Sequence, residues 1–145
     1  MNTILIVEDE MPIRKVFARL LSAEGYVIFE AENAIVARDI LWDKKIDLLL
    51  LDINMAEVSG DEFYPIVKLF HTHTKIIVTS VYPLEEQHRL IPGACDYFDK
   101  SEGLAALLEK IGKTGHIKLD VTFQFRFGEH AHIAVIGFVI LDKFR

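Results

Sequence analysis

The sequence holds one cysteine, Cys95, so no disulfide can close within the chain. That usage fits a reducing compartment, and Cys95 reads as a small core residue. Long apolar runs are also missing. A membrane-spanning helix needs about 18 apolar residues, and the longest candidate here, Ile133 to Leu141, is about half that. A secretory leader would begin with a basic stretch and end at a small-residue cleavage site, but Glu8, Asp9 and Glu10 interrupt the N-terminus early. These absences point to a cytoplasmic protein. Clustered cations are scarce too. Residues 1–112 carry 11 Lys and Arg against 19 Asp and Glu, a net of −8, and residues 113–145 carry 5 against 3, a net of +2, which sum to the overall −6. Nucleic-acid binding needs cations gathered against phosphates, and no helix-turn-helix pattern is present, so direct DNA binding is not expected.

What the sequence has in quantity is apolar residues, 51% of 145 with ten Phe, enough to core one domain with a small appendage. Over residues 1–112, short β-branched or Leu-rich runs alternate with segments of helical period. Strands are expected at Asn2–Glu8, Tyr26–Glu30, Ile46–Asp52, Lys75–Ser80 and Cys95–Phe98. Helices are expected from Met11 to Ala23, from an Asn33 cap to Asp43, and from a Ser59–Glu62 capping box toward Phe70. Two more run from Leu84 to Leu90 and from Glu102 to Ile111, the last stopping at Gly112. Pro65 would fall in or just past a first helical turn, where its missing N–H costs least. Such alternation implies an α/β fold: a doubly wound, five-stranded parallel sheet with helices on both faces. In these sheets functional groups gather at the carboxyl ends of the strands. The polar residues that end the apolar runs are Glu8 and Asp9, Asp52, Thr79 and Lys100.

Three carboxylates at one sheet edge repel one another unless a cation sits among them, and a hard divalent ion, Mg²⁺ above all, suits an oxygen-only set. Lys100 adds a point charge for a phosphoryl oxygen, and the Thr79 hydroxyl adds a hydrogen bond. Asp52 would then be a carboxylate nucleophile.

The runs Ile4-Leu5-Ile6-Val7-Glu8-Asp9-Glu10, Asp47 through Met55, Ile77-Val78-Thr79-Ser80 and Asp96-Tyr97-Phe98-Asp99-Lys100 resemble, in order and spacing, the signature blocks of response-regulator receiver domains. The resemblance covers residues 1–112. It implies that Asp52 accepts a phosphoryl group from a histidine kinase or phosphotransfer protein. It implies that Glu8, Asp9, Asp52 and the backbone carbonyl of Asn54 serve Mg²⁺. Thr79 and Lys100 match the family's switch hydroxyl and lysine, and Tyr97 matches the aromatic that turns inward with Thr79. The altered surface would then engage a downstream protein target, and the chain would be no enzyme beyond its own phosphorylation and dephosphorylation. Two positions depart from the family, which usually carries proline where this chain has Ala56 and Ser101; the second bears on how Lys100 is held. The alternatives are a receiver-like binding module without phosphorylation control, and a Mg²⁺-dependent phosphatase with an aspartate nucleophile, for which the chain lacks a cap-sized insertion.

The last 33 residues, 113–145, fall outside the resemblance. Ile117, Leu119, Val121, Phe123, Phe125 and Phe127 alternate with polar residues, and a second apolar strand runs from His132 to Leu141. A β-hairpin extension is expected, its Phe-rich face covered either by the chain's own body or by another chain, of which a homodimer through residues 113–145 is favoured because a completed receiver has little apolar surface left to cover. The pairs His71/His73 and His130/His132 read as solvated histidines, and Trp42 as packing.

Overall fold

A computed structural model describes residues 3–116, 123–127 and 131–135. The elements follow in order as β1 (Thr3–Val7), α1 (Met11–Ala23), β2 (Val27–Ala31), α2 (Ala34–Asp43), β3 (Leu48–Asp52), α3 (Gly60–Phe70), β4 (Lys75–Ser80), α4 (Leu84–Leu90), β5 (Asp96–Asp99), α5 (Leu104–Ile111), β6 (Phe123–Phe127) and β7 (Ala131–Val135). The first five strands form one parallel sheet in the order β2-β1-β3-β4-β5. Because the chain leaves β1 toward β2 and later returns to its other side as β3, the switch point lies at the β1/β3 boundary.

The strands are apolar on both sides because both sides are covered. Leu5, Val7, Leu49, Leu51, Ile76 and Val78 pack beneath α2, α3 and α4. Their neighbours Ile4, Ile6, Leu48, Leu50, Ile77 and Phe98 pack beneath α1 and α5, against Phe17, Leu21, Leu107 and Ile111. Asn33 caps α2 as expected, its side chain accepting from the Val36 N–H at 2.9 Å.

Several expectations are corrected. Ser59 precedes α3 without any side-chain capping bond. The Gly60 N–H instead donates to the Ile53 carbonyl at 2.9 Å, so the loop itself serves the helix start. Pro65 lies inside α3 just past its first turn, as expected. The last helix begins at Leu104 because Gly103, at φ 87°, separates it from a 3₁₀ turn over Lys100–Glu102. Beyond Ile111 the backbone makes one wider turn through Gly112–His116, and Thr114 is buried, its hydroxyl donating to the Ile111 carbonyl. Cys95 is exposed, one residue ahead of edge strand β5. Trp42 is exposed, and His71 and His73 sit at a helix end and in a turn. The expected hairpin is present as β6 and β7, paired antiparallel over Phe123–Phe127 and Ala131–Val135. The rest of that expectation, including Ile117, Leu119, Val121, His130 and the run to Leu141, lies outside the described residues.

Candidate functional site

The site is a consequence of strand periodicity. Side chains alternate across a strand, so a residue two positions past a buried one points the same way. Ile4 and Ile6 lead to Glu8, Leu48 and Leu50 to Asp52, Ile77 to Thr79, and Phe98 to Lys100. All four polar residues therefore continue the layer beneath α1 and α5, at the ends where the strands stop. Adjacent register brings Asp52 beside Thr79 and Thr79 beside Phe98.

Carboxylate oxygens of Glu8, Asp9 and Asp52 all lie within 4.8 Å of one another. Glu8 and Asp52 are 1% and 2% exposed, whereas Asp9 opens to solvent. Lys100 lies between the two buried groups, its Nζ 2.5 Å from Glu8 Oε2 and 3.3 Å from Asp52 Oδ1. The Asn54 N–H donates to Asp52 Oδ1 at 3.2 Å, and the Ile53 N–H to the Thr79 carbonyl at 3.3 Å. Burial, then the charge of Glu8, pushes the Asp52 carboxyl from its ordinary 3.8 up to about 7, with Lys100 pulling the other way. Burial alone would depress the Lys100 ammonium, but the carboxylates of Glu8 and Asp52 outweigh it and hold it above its usual value. Three carboxylates against one ammonium leave a surplus of negative charge in a crevice where Glu8 and Asp52 are buried and Asp9 is exposed. An oxygen-only set of that charge fits a hard divalent cation such as Mg²⁺.

With Ser101 where the family usually has proline, Lys100 reaches both Glu8 and Asp52. The Ser101 N–H, which a proline would lack, donates to Asp99 Oδ1 at 2.9 Å, and its hydroxyl donates to the same oxygen at 2.7 Å. The Asp99 N–H in turn donates to Glu102 at 3.3 Å. Lys100 is thus carried by a turn fastened on both sides. The departure at Ala56 sits in a loop where Glu57 adopts φ 67°, a left-handed conformation uncommon without glycine. Tyr97, one residue from Phe98, belongs to the opposite layer. It is turned inward, its hydroxyl donating to the Ile91 carbonyl at 2.6 Å and accepting from the Ala94 N–H at 3.1 Å, with the His88 ring stacked at 3.7 Å.

Three supporting residues escaped the sequence reading. Gly60 is one: a Cβ there would lie 2.2 Å from the Asp52 carbonyl oxygen, so only glycine lets α3 start against the end of β3. Arg14 is another, buried on α1 and donating to the Glu8 carbonyl at 2.8 Å. An arginine on the core stripe of α1 was the available signal. Gln87 is the third, fully buried on α4 and donating to the Tyr82 carbonyl at 2.7 Å and the Phe98 carbonyl at 3.2 Å. It ties the loop after β4 to β5, and nothing in its sequence context marks it.

A five-stranded parallel sheet with an acidic crevice and a lysine at its switch point defines a class, and residues 4–112 match the response regulator receiver domain. The chain belongs to that family. It is 36% identical over 122 residues to the phosphate regulon transcriptional regulatory protein PhoB of Pseudomonas aeruginosa, covering 79% of this chain and 53% of PhoB. It therefore spans about half of that relative's length. It is 31% identical over 104 residues to sporulation initiation phosphotransferase F of Bacillus subtilis, covering 72% of this chain and 76% of that one. Among solved structures it is similar to response regulator protein TrrA of Thermotoga maritima in complex with Mg²⁺-BeF, at 34% identity and a TM-score of 0.72, covering 78% of this chain and 98% of that one. No helix among the described residues is long and apolar enough to cross a membrane.

Proposed function

We propose that Asp52 accepts a phosphoryl group from a histidine kinase or phosphotransfer protein and that the chain thereby switches its surface toward a downstream protein. The observation that carries this reading is the Lys100 ammonium shared by two buried carboxylates beside an exposed third. Asp9, Asp52 and the Asn54 carbonyl would hold Mg²⁺ directly, with Glu8 acting through water. When bound, that ion neutralises the carboxylates and the charge on the transferred phosphoryl oxygens.

The chain's own groups do the rest. An Asp52 oxygen attacks phosphorus in line, forming an acyl phosphate as the donor's bond to phosphorus breaks. Lys100 exchanges its pairing with the Asp52 carboxylate for a phosphoryl oxygen, and Glu8 keeps it anchored. The Thr79 hydroxyl donates to another phosphoryl oxygen, which draws the end of β4 toward Asp52. Tyr97 and Gln87, both hydrogen-bonded around α4, carry that displacement to the α4–β5 surface. The protein has no turnover beyond gaining and losing this group, and its cytoplasmic setting follows from its donors.

The test is incubation with Mg²⁺ and acetyl phosphate, followed by intact mass. Gain of one phosphoryl group, abolished in Asp52→Ala, is the expected result. No adduct from any donor would leave a binding module without phosphorylation control. Continuous release of phosphate from assorted monoesters would mark a phosphatase instead.

A further inference from the structure

The outer side of α3 is unusually apolar. Phe63, Tyr64 and Val67 face the core, yet Ile66, Leu69 and Phe70 at the helix's C-terminal end are 46%, 71% and 70% exposed. Their spacing places them on one stripe of the helix. A helix apolar on both sides belongs under cover.

The β6–β7 hairpin has the complementary need. Its backbone register pairs Phe123, Phe125 and Phe127 with Val135, Ile133 and Ala131, and in the sequence the three Phe alternate with Gln124 and Arg126. A two-stranded sheet is not stable in water without something beneath it.

The route of the chain connects the two. The body ends where the Thr114 carbonyl accepts from Lys75 Nζ at 2.5 Å, and Lys75 opens β4, five positions after Phe70. The hairpin is tethered to that point by residues 117–122, which can span about 20 Å. A strand of five residues is about 17 Å long, comparable with the length of α3.

We propose that the hairpin folds back beneath the sheet rim and seats its Phe123/Phe125/Phe127 face on Ile66, Leu69 and Phe70 of its own α3. The sequence alone favours a second copy as the cover, with the chain's own body as the alternative. The exit point favours the chain's own segment, because so short a tether gives an effective concentration far above that of a free partner. This inference does not depend on the phosphoacceptor reading.

The test uses the full chain carrying Cys95→Ser, Leu69→Cys and Phe125→Cys under mild oxidant. A disulfide formed within monomers, at a rate independent of protein concentration, is the expected result. Disulfides appearing only in covalent dimers, or no faster than in a control pairing Ile35→Cys with Phe125→Cys, would overturn it. A second measurement avoids engineered thiols. Leu69→Ser with Phe70→Ser changes only exposed positions, so the body keeps its fold, and tryptic cleavage after Arg126 should accelerate roughly tenfold. An unchanged cleavage rate in that variant would also overturn the proposal.

Discussion

The two sides of the central sheet are built from the same five strands but end differently. Beneath α1 and α5, apolar layers run into Glu8, Asp52, Thr79 and Lys100. Beneath α2, α3 and α4, the layer stays apolar as far as Tyr97, and its polar groups, Tyr97 and Gln87, are spent on backbone carbonyls. The first side holds surplus charge, whereas on the second the donors of Tyr97 and Gln87 are satisfied and the buried Gln87 Oε1 alone of their polar atoms lacks a protein partner. Adjacent residues of a single strand belong to both, as Val78 and Thr79 or Tyr97 and Phe98 do. The two sides are thus one peptide bond apart at these positions.

The largest expected effect comes from erasing the comparison at its root. Gly60→Ala drives a Cβ into the Asp52 carbonyl, and should cost about 3 kcal/mol in urea unfolding, with loss of any Asp52 adduct. Next comes a change of opposite sign. The Asp52 carboxyl is raised to about 7, so its contribution to stability is fully present below its ordinary 3.8 and is lost as pH rises through about 7. Without divalent ions and above that pH, Asp52→Asn should stabilise the protein by about 2 kcal/mol, and Mg²⁺ should stabilise the parent more than the variant. A variant no more stable than its parent would mean that the first side is as relaxed as the second. Tyr97→Phe probes the second side. Losing the bonds to Ile91 and Ala94 should cost about 1 kcal/mol in thermal unfolding while leaving acetyl phosphate labelling of Asp52 unchanged. The smallest effect belongs to the loop that joins the two sides. Glu57→Gly relieves a positive φ and should raise stability by about 0.5–1 kcal/mol, read as a shift in the urea midpoint.

The sequence made the α1/α5 side legible because functional groups of a parallel sheet gather where its apolar runs end. The apolar runs ended in Glu8, Asp52, Thr79 and Lys100 at the carboxyl ends of the strands, and the structure brings Lys100 to Glu8 and Asp52 there with Thr79 beside Asp52 in register. The buried character of β3 was equally plain from Leu48 to Asp52. The misread features depended on groups distant in sequence. Ser59 has the spacing of a cap, but its side chain makes no capping bond, and the helix start is instead held by the Gly60 N–H donating to the Ile53 carbonyl. Glu102 reads as a helix start, but Gly103 turns the chain first. Cys95 was placed inside because a small apolar residue next to an edge strand looks the same from either side of the surface. Gln87 carries no local mark, since its partners Tyr82 and Phe98 are separated from it by a turn and by a strand.

The alternation that builds the crevice also constrains how the gene can change length. Removing one residue from the middle of β3 would turn Asp52 away from α1 and toward α3, and the same holds for Glu8 in β1 and Thr79 in β4. Insertions in the connections between elements leave that parity alone. Within the strands, length can drift only in steps of two without moving the acidic residue to the wrong side of the sheet. The site is thus recorded as an even count as much as a set of residues.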